Sequence, residues 1–138
     1  MAPTPNGGVF GSASTCRLAE HVNRPKALAM WSAGALDYAI SGGQSPYEVI
    51  RGSMLLEDLG LPAWTQTVGL GIINVLTLHI CAVAPSFTRP NDVVGLWAKE
   101  DDCLLEDFPV VDGSVAVPTG AGLGVTLDPD ALARYKVP

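Results

Sequence analysis

The chain is short of positive charge. Its 138 residues carry eight Lys and Arg against fourteen Asp and Glu, a formal net charge of −6, and the eight cations never cluster. Such a surface repels a nucleic-acid backbone, so no nucleic-acid partner is expected, and an anionic membrane surface is disfavoured for the same reason. Cysteine is scarce too. Cys16, Cys81 and Cys103 stand far apart and in no C-x-x-C spacing. The pattern is that of three reduced, mostly buried thiols in a cytoplasmic protein. The opening "MAPTPNGGVFGSAS" lacks both the basic start and the apolar run of a signal peptide. The longest apolar stretch, "VGLGIINVLTLHICAVA" at 68–84, is short for a bilayer span and contains Asn74, Thr77 and His79. It reads as a buried core helix rather than a membrane segment. There is also no GxSxG, no Cys or Ser beside a recognisable His–acid pair, and no internal repeat.

What the chain does have is apolar residues, 48% against 16% charged. That is a greasy composition at the length of one domain. It implies either unusually complete burial or apolar surface that needs a partner.

Residues 1–11 are loop-like. "SASTCRLAEHV" reads as a short helix with Ser12 or Ser14 as N-cap, and "PKALAMW" as a buried strand bounded by Pro25 and "SAG". "ALDYAISGGQ" reads as a weak helical turn. The best-signalled helix follows: Ser45-Pro46-Tyr47-Glu48 combines N-cap, first-turn proline and capping-box Glu. Val49, Ile50, Met54, Leu55 and Leu59 then recur at helical spacing up to Gly60. "PAWTQTV" is strand-like, and 70–83 form a second helix, apolar nearly all round and so expected to be buried on most sides. Strand, helix, strand, helix with short loops argues for parallel β/α units. Beyond them, "DFPVVDGSVAVP" looks like a hairpin through Asp112-Gly113. "LGVTLD" is extended, and Asp128-Pro129 starts a last short helix ending near Tyr135.

"GAGLG" at 120–124 invites a phosphate-loop reading. A dinucleotide fingerprint needs its glycines between a strand and a helix N-terminus. Here an extended "VTLD" follows, the third glycine comes one place early for GxGxxG, and no Lys-Ser or Lys-Thr pair is present. A tight turn, needing positive φ or close backbone approach, fits the context better.

The wider stretch "DGSVAVPTGAGLGVTLDPDALARY" resembles the closing segment of the mandelate racemase and muconate lactonizing enzyme group of the enolase superfamily, with Ala121 where the family's turn has proline. "LEDLGLPAW" resembles the end of that family's sixth barrel helix entering the seventh strand. "GIINVLTLHICAVAPSFTRPNDVVG" resembles its seventh helix and eighth strand, and "HVNRPKALAMWSAGAL" its sixth strand with the "GGL" turn. The resemblance covers about residues 15–138. It implies an α/β fold: a partial (β/α)8, TIM-type barrel of about the last three β/α units, with a C-terminal hairpin and short helix, in a single domain after a flexible 1–11.

The family abstracts the proton α to a carboxylate, using bound Mg²⁺ and a Lys or His base. The resemblance places two of its metal-bearing strands outside the chain and the end of a third near Asn6-Gly7-Gly8, which carries no acid. Aligning "SAGAL" on R-x-GGL puts the base position at Ala29, five residues before Gly34. Lys26 lies three residues further back, on the opposite strand face. The acid usual near "TVGLG" is missing: Thr67, Val68, Gly69 and Leu70 do not titrate. His79 falls where the family often has a structural histidine, and His21 has no acid partner at dyad spacing. "KEDDCLLED" at 99–107 gathers five acids around Cys103 and is expected to be a solvated face rather than a metal site.

No catalytic, cofactor-binding or metal-binding residue is therefore assigned, and no cofactor is expected. The chain reads as non-catalytic alone. Its partner is expected to be a second copy of itself or a complementary barrel-forming chain that makes it one piece of a split racemase, cycloisomerase or dehydratase. A third possibility is an apolar ligand site lined by Trp31, Trp64 and Trp97.

Overall fold

The computed structural model describes residues 29–35, 37–41, 45–93 and 101–137. The helix expected at 12–22, and with it Cys16, His21, Lys26 and Trp97, lies outside the described residues. The chain divides into two compact units, Met1–Gln66 with Val83–Asp92, and Thr67–Ala82 with Val93–Pro138.

In the first unit, residues 29–32 are helical, which corrects the strand expected over "PKALAMW". The run contains no β-branched residue, and Ala, Leu, Met and Lys are all good helix formers. Ala33 N–H donates to Ala29 O at 2.9 Å, and the turn ends at Gly34 with φ 66°. There Gly34 N–H reaches Trp31 O and Ala35 N–H reaches Met30 O, both at 2.9 Å, the bond pair of a Schellman stop. "SAG" is thus a helix end, not a strand boundary.

The strand lies further on. β1 (Ala39–Ile40) falls inside the segment expected to be a helical turn, a second correction. It pairs in parallel with β2 (Ala63–Trp64), in register Ala39↔Ala63 and Ile40↔Trp64. Between them runs α1 (Pro46–Asp58), bounded as its sequence signals require. Ser45 caps it, accepting from Glu48 N–H at 3.3 Å, and a second Schellman pair closes it at Gly60. Its buried stripe is Val49, Gly52, Ser53 and Leu56; Met54, expected inside, is 54% exposed. The small residues let the helix come close. A Cβ on Gly52 would stand 3.1 Å from Ser41 Oγ, and that hydroxyl donates to Val49 O at 3.3 Å.

The core of this unit is Ala39, Leu56, Leu61 and Ala63, with Trp31, Leu59 and Phe87 packed on it. Because Leu56 belongs to α1, Ala39 and Ala63 mark the helix-facing side of the strand pair. Alternation puts Ile40 and Trp64 on the opposite side. A buried serine seam adds a polar tie: Ser53 Oγ and Ser86 Oγ share a hydrogen bond at 2.9 Å, and Ser86 N–H donates to Ser53 Oγ at 3.1 Å. Beyond Thr65, β3 (Gln66–Thr67) pairs with β4 (Asp92–Val93).

The second unit holds most of α2 (Gly71–Val83). Its sequence is apolar all round, yet Ile73 is 47% exposed and Val83 62%, while Asn74 and Thr77 are buried. Burial on most sides was the expectation, and here the two apolar side chains lie out while two polar ones lie in. Most of the buried polar atoms find local partners, but Asn74 Oδ1 has none. Thr77 Oγ1 donates to Ile73 O at 2.9 Å, so Thr67 must supply the proton of the 2.8 Å Thr67–Thr77 hydroxyl contact. Asn74 Nδ2 donates to Gly69 O at 3.3 Å.

The expected hairpin is present as one antiparallel bridge, Val111↔Ser114, around Asp112 and Gly113, both at positive φ as a type I′ turn needs. α3 (Pro129–Arg134) begins where expected, with Asp128 accepting from Asp130 N–H at 2.9 Å and Ala131 N–H at 3.3 Å.

Candidate functional site

The glycine turn folds as a turn, not as an anion cradle. Gly122 and Gly124 have φ of 65° and 72°, and Gly124 N–H bonds Ala121 O at 3.1 Å. A Cβ on Gly124 would lie 2.7 Å from Pro118 Cβ and 2.9 Å from Gly120 N. Backbone here packs on backbone, and only glycine fits. His79 reaches the same turn: Nε2 is 3.0 Å from Leu123 O. A carbonyl oxygen only accepts, so Nε2 carries the hydrogen, and the histidine is a strut between α2 and the turn.

The acidic segment is more than a solvated face. Asp102 Oδ1 accepts from Gly71 N–H at 2.9 Å and from Cys103 N–H at 2.6 Å, capping α2 from a remote loop. Gly71 is glycine because this carboxylate comes so near: a Cβ would meet Asp102 Oδ2 at 2.5 Å and Leu104 Cδ1 at 2.7 Å. Glu106 accepts from Thr126 N–H at 2.8 Å, and that backbone hydrogen bond holds its carboxyl below the usual range. Asp101 Oδ2 takes Arg134 Nη1 at 2.5 Å and Tyr135 Oη at 2.8 Å, and the tyrosine hydrogen bond leads in lowering its pKa. The main chain completes the hub. Leu104 bridges Leu127, Leu105 N–H donates to Thr126 O at 3.0 Å, and Asp128 N–H to Cys103 O at 2.8 Å. Sequence reading missed these roles because the partners that join the segment to α2 and to residues 126–135 lie 20 to 34 residues away.

The described thiols are free. Burial pushes Cys81 up to about 11, and burial, reinforced by Asp102, raises Cys103. Neither is a ready thiolate near neutral pH.

The two corrections in the first unit also bear on where the resemblance would put the family's base. β1 precedes α1, and α1 leads into "GLPAW", so β1 rather than the helical 29–32 stands where the resemblance puts the sixth strand, and in the sequence it is β1 that the glycine pair Gly42-Gly43 follows. Ala29 loses its claim. Five residues before Gly42 stands Asp37, a half-buried carboxylate. Of the tryptophans, Trp31 joins the core cluster, whereas Trp64 lies on the other side of β2. The second unit carries a groove of about 880 Å³ between residues 101–103 and α3 with the following turn.

A family model described as enolase C-terminal domain-like matches residues 27–131. The chain belongs to that family. It is the C-terminal part of the mandelate racemase and muconate lactonizing enzyme group of the enolase superfamily, as its tail motif implies, and its fold is α/β. It is 36% identical over 70 residues to a chloromuconate cycloisomerase of Cupriavidus necator, which covers 51% of this chain and 18% of that protein. Over 84 residues it is 36% identical to an N-succinylamino acid racemase of Thermus thermophilus, with 58% of this chain and 22% of the other covered. Among solved structures, the muconate lactonizing enzyme of Pseudomonas putida superposes with a TM-score of 0.70 at 20% identity, over 89% of this chain and 38% of that one. The enolase-family chain therefore spans well under half the length of these relatives.

The enolase resemblance implies Mg²⁺, and a hard cation needs several oxygen ligands. Among the described residues no group of three or more His, Cys, Asp or Glu side chains is placed to hold a metal. The adjacent carboxylates Asp101 and Asp102 are already engaged by Arg134, Tyr135 and backbone N–H groups. The described residues do not fit the metal. Among them, too, no helix is long and apolar enough to cross a membrane.

Proposed function

We propose that this chain is an enolase-superfamily barrel segment that is non-catalytic by itself, acts as a structural or binding element, and self-associates. The observation that carries the reading is the use of its acids. Asp101, Asp102 and Glu106, the clustered carboxylates with defined partners, serve as caps and ties rather than as a ligand set. Exposed apolar side chains such as Val68, Leu70, Ile73 and Val83 support self-association, since surface of this kind is covered in stable proteins. Sedimentation of the whole chain at micromolar concentration tests this directly. A stable oligomer with no heat of Mg²⁺ binding is expected; a monomer that binds Mg²⁺ overturns it.

Asp37 favours a second reading, in which the chain is one piece of a split racemase, cycloisomerase or dehydratase. A carboxylate at the position of the family's base keeps a proton acceptor there, and a complementary chain would bring the metal ligands. Mixed with a chain carrying the family's metal-bearing strands, it is expected to promote exchange of the α-proton of a carboxylate substrate in D₂O. Asp37→Asn in that mixture should abolish the exchange. Failure of the wild-type mixture to exchange ends this reading.

A further inference from the structure

We propose that the last turn of the chain, residues 132–137, is a hinged lid over the groove of the second unit, latched at its rim by Asp101. The groove has two walls. One is Leu70 with residues 101–103, the other α3 and the turn after it, and together they enclose about 880 Å³. At the base the walls are firmly joined: Asp128 N–H donates to Cys103 O at 2.8 Å, and Ala131 is only 1% exposed. At the rim the walls are tied through one carboxylate oxygen. Asp101 Oδ2 receives Arg134 Nη1 at 2.5 Å and Tyr135 Oη at 2.8 Å, and the arginine packs over the tyrosine ring at 5.8 Å. Beyond that point Val137 is 81% exposed.

A buried hinge and an exposed latch differ in how easily they open. Breaking the base means exposing Ala131 and orphaning a backbone pair, whereas the rim contacts already face water and exchange readily for it. The lid therefore opens about Ala131 without loss of the unit, unwinding the last turn and uncovering Cys103, which is 7% exposed in the closed groove. The groups facing the latch are Arg134, Tyr135 and the neighbouring Asp102. With Asp101 held ionised by its partners, the latch is engaged at neutral pH and is released by acid or by high salt. This inference is independent of the reading of the chain as non-catalytic.

Amide hydrogen exchange on the full chain at pH 7 tests it, with two probes. The Tyr135 amide, bonded to Ala131 O at 3.1 Å, reports the lid, and the Asp128 amide reports the base. In Asp101→Asn, Tyr135 exchange is expected to speed up about threefold or more while Asp128 is unchanged. Tyr135→Phe, which keeps the arginine contact, should give a smaller acceleration. Binding of the apolar dye anilinonaphthalene sulfonate should rise in the same order. Equal Tyr135 exchange in wild type and Asp101→Asn overturns the latch, and acceleration of Asp128 in step with Tyr135 overturns the hinge.

Discussion

Two glycines in one turn separate conformational from steric demands. Gly122 and Gly124 both have positive φ, but a Cβ at Gly122 meets nothing within 4 Å, whereas at Gly124 it meets Pro118 Cβ at 2.7 Å. Alanine at 122 should therefore cost only the backbone preference, about 1 kcal/mol. Alanine at 124 adds overpacking to it and should cost about 2–4 kcal/mol. Urea unfolding of the two variants checks the order, and equal losses would mean that the turn relaxes. The need for glycine was legible from "GAGLG" and its extended flanks; which glycine is crowded was not. That depends on Pro118 and Gly120 folding back, a tertiary fact with no local signature.

At the scale of elements, legibility followed the range of the signal. α1 could be read to its end because Ser45, Pro46, Glu48 and Gly60 act within a turn of where they stand. The strands were harder. β1 is two residues long and is defined by its partner Ala63–Trp64, so a run rich in good helix formers was mistaken for it. α2 posed a different difficulty, since its N-terminal cap is Asp102, 31 residues downstream. Asp102→Ala should lower stability by about 1 kcal/mol with loss of helical circular dichroism, and Asp102→Asn should restore part of it. The carboxylates of Asp101 and Glu106 add a pH dependence of known sign. Their folded pKa values lie below the ordinary 3.8 and 4.5, so folding is favoured more strongly by the ionised forms. Their contribution is complete above those ordinary values and is lost as pH falls through the lowered ones. The urea midpoint should hold from pH 7 to about 5 and then drop, and Glu106→Gln should flatten part of that drop.

For the whole molecule, composition and the placement of apolar side chains agree. Nearly half of the residues are apolar, and Val68, Leu70 and Val83 are more than half exposed. If a second copy covers such surface, folding is linked to association and the melting temperature depends on protein concentration. Raising the concentration a hundredfold should raise Tm by several degrees, and a constant Tm would mean that each chain is stable alone. The family was readable from the tail because a closing segment built from tight turns and caps leaves a dense local spelling. The structural role of "KEDDCLLED" was harder to foresee, since it has the composition of a solvated face and the connections of a joint.

The distance along the chain between Gly71 and its capping carboxylate, 31 residues, also bears on how the protein is made. Synthesis is vectorial, so α2 leaves the ribosome with bare N-terminal amides and waits while the next stretch of chain is added. Until Asp102 emerges, closing that loop has no reward to set against its entropy. The nascent helix is then a greasy, half-finished cylinder, open to a chaperone or to a sister chain on the same message. Moving the carboxylate nearer in sequence would shorten that wait without altering the finished cap.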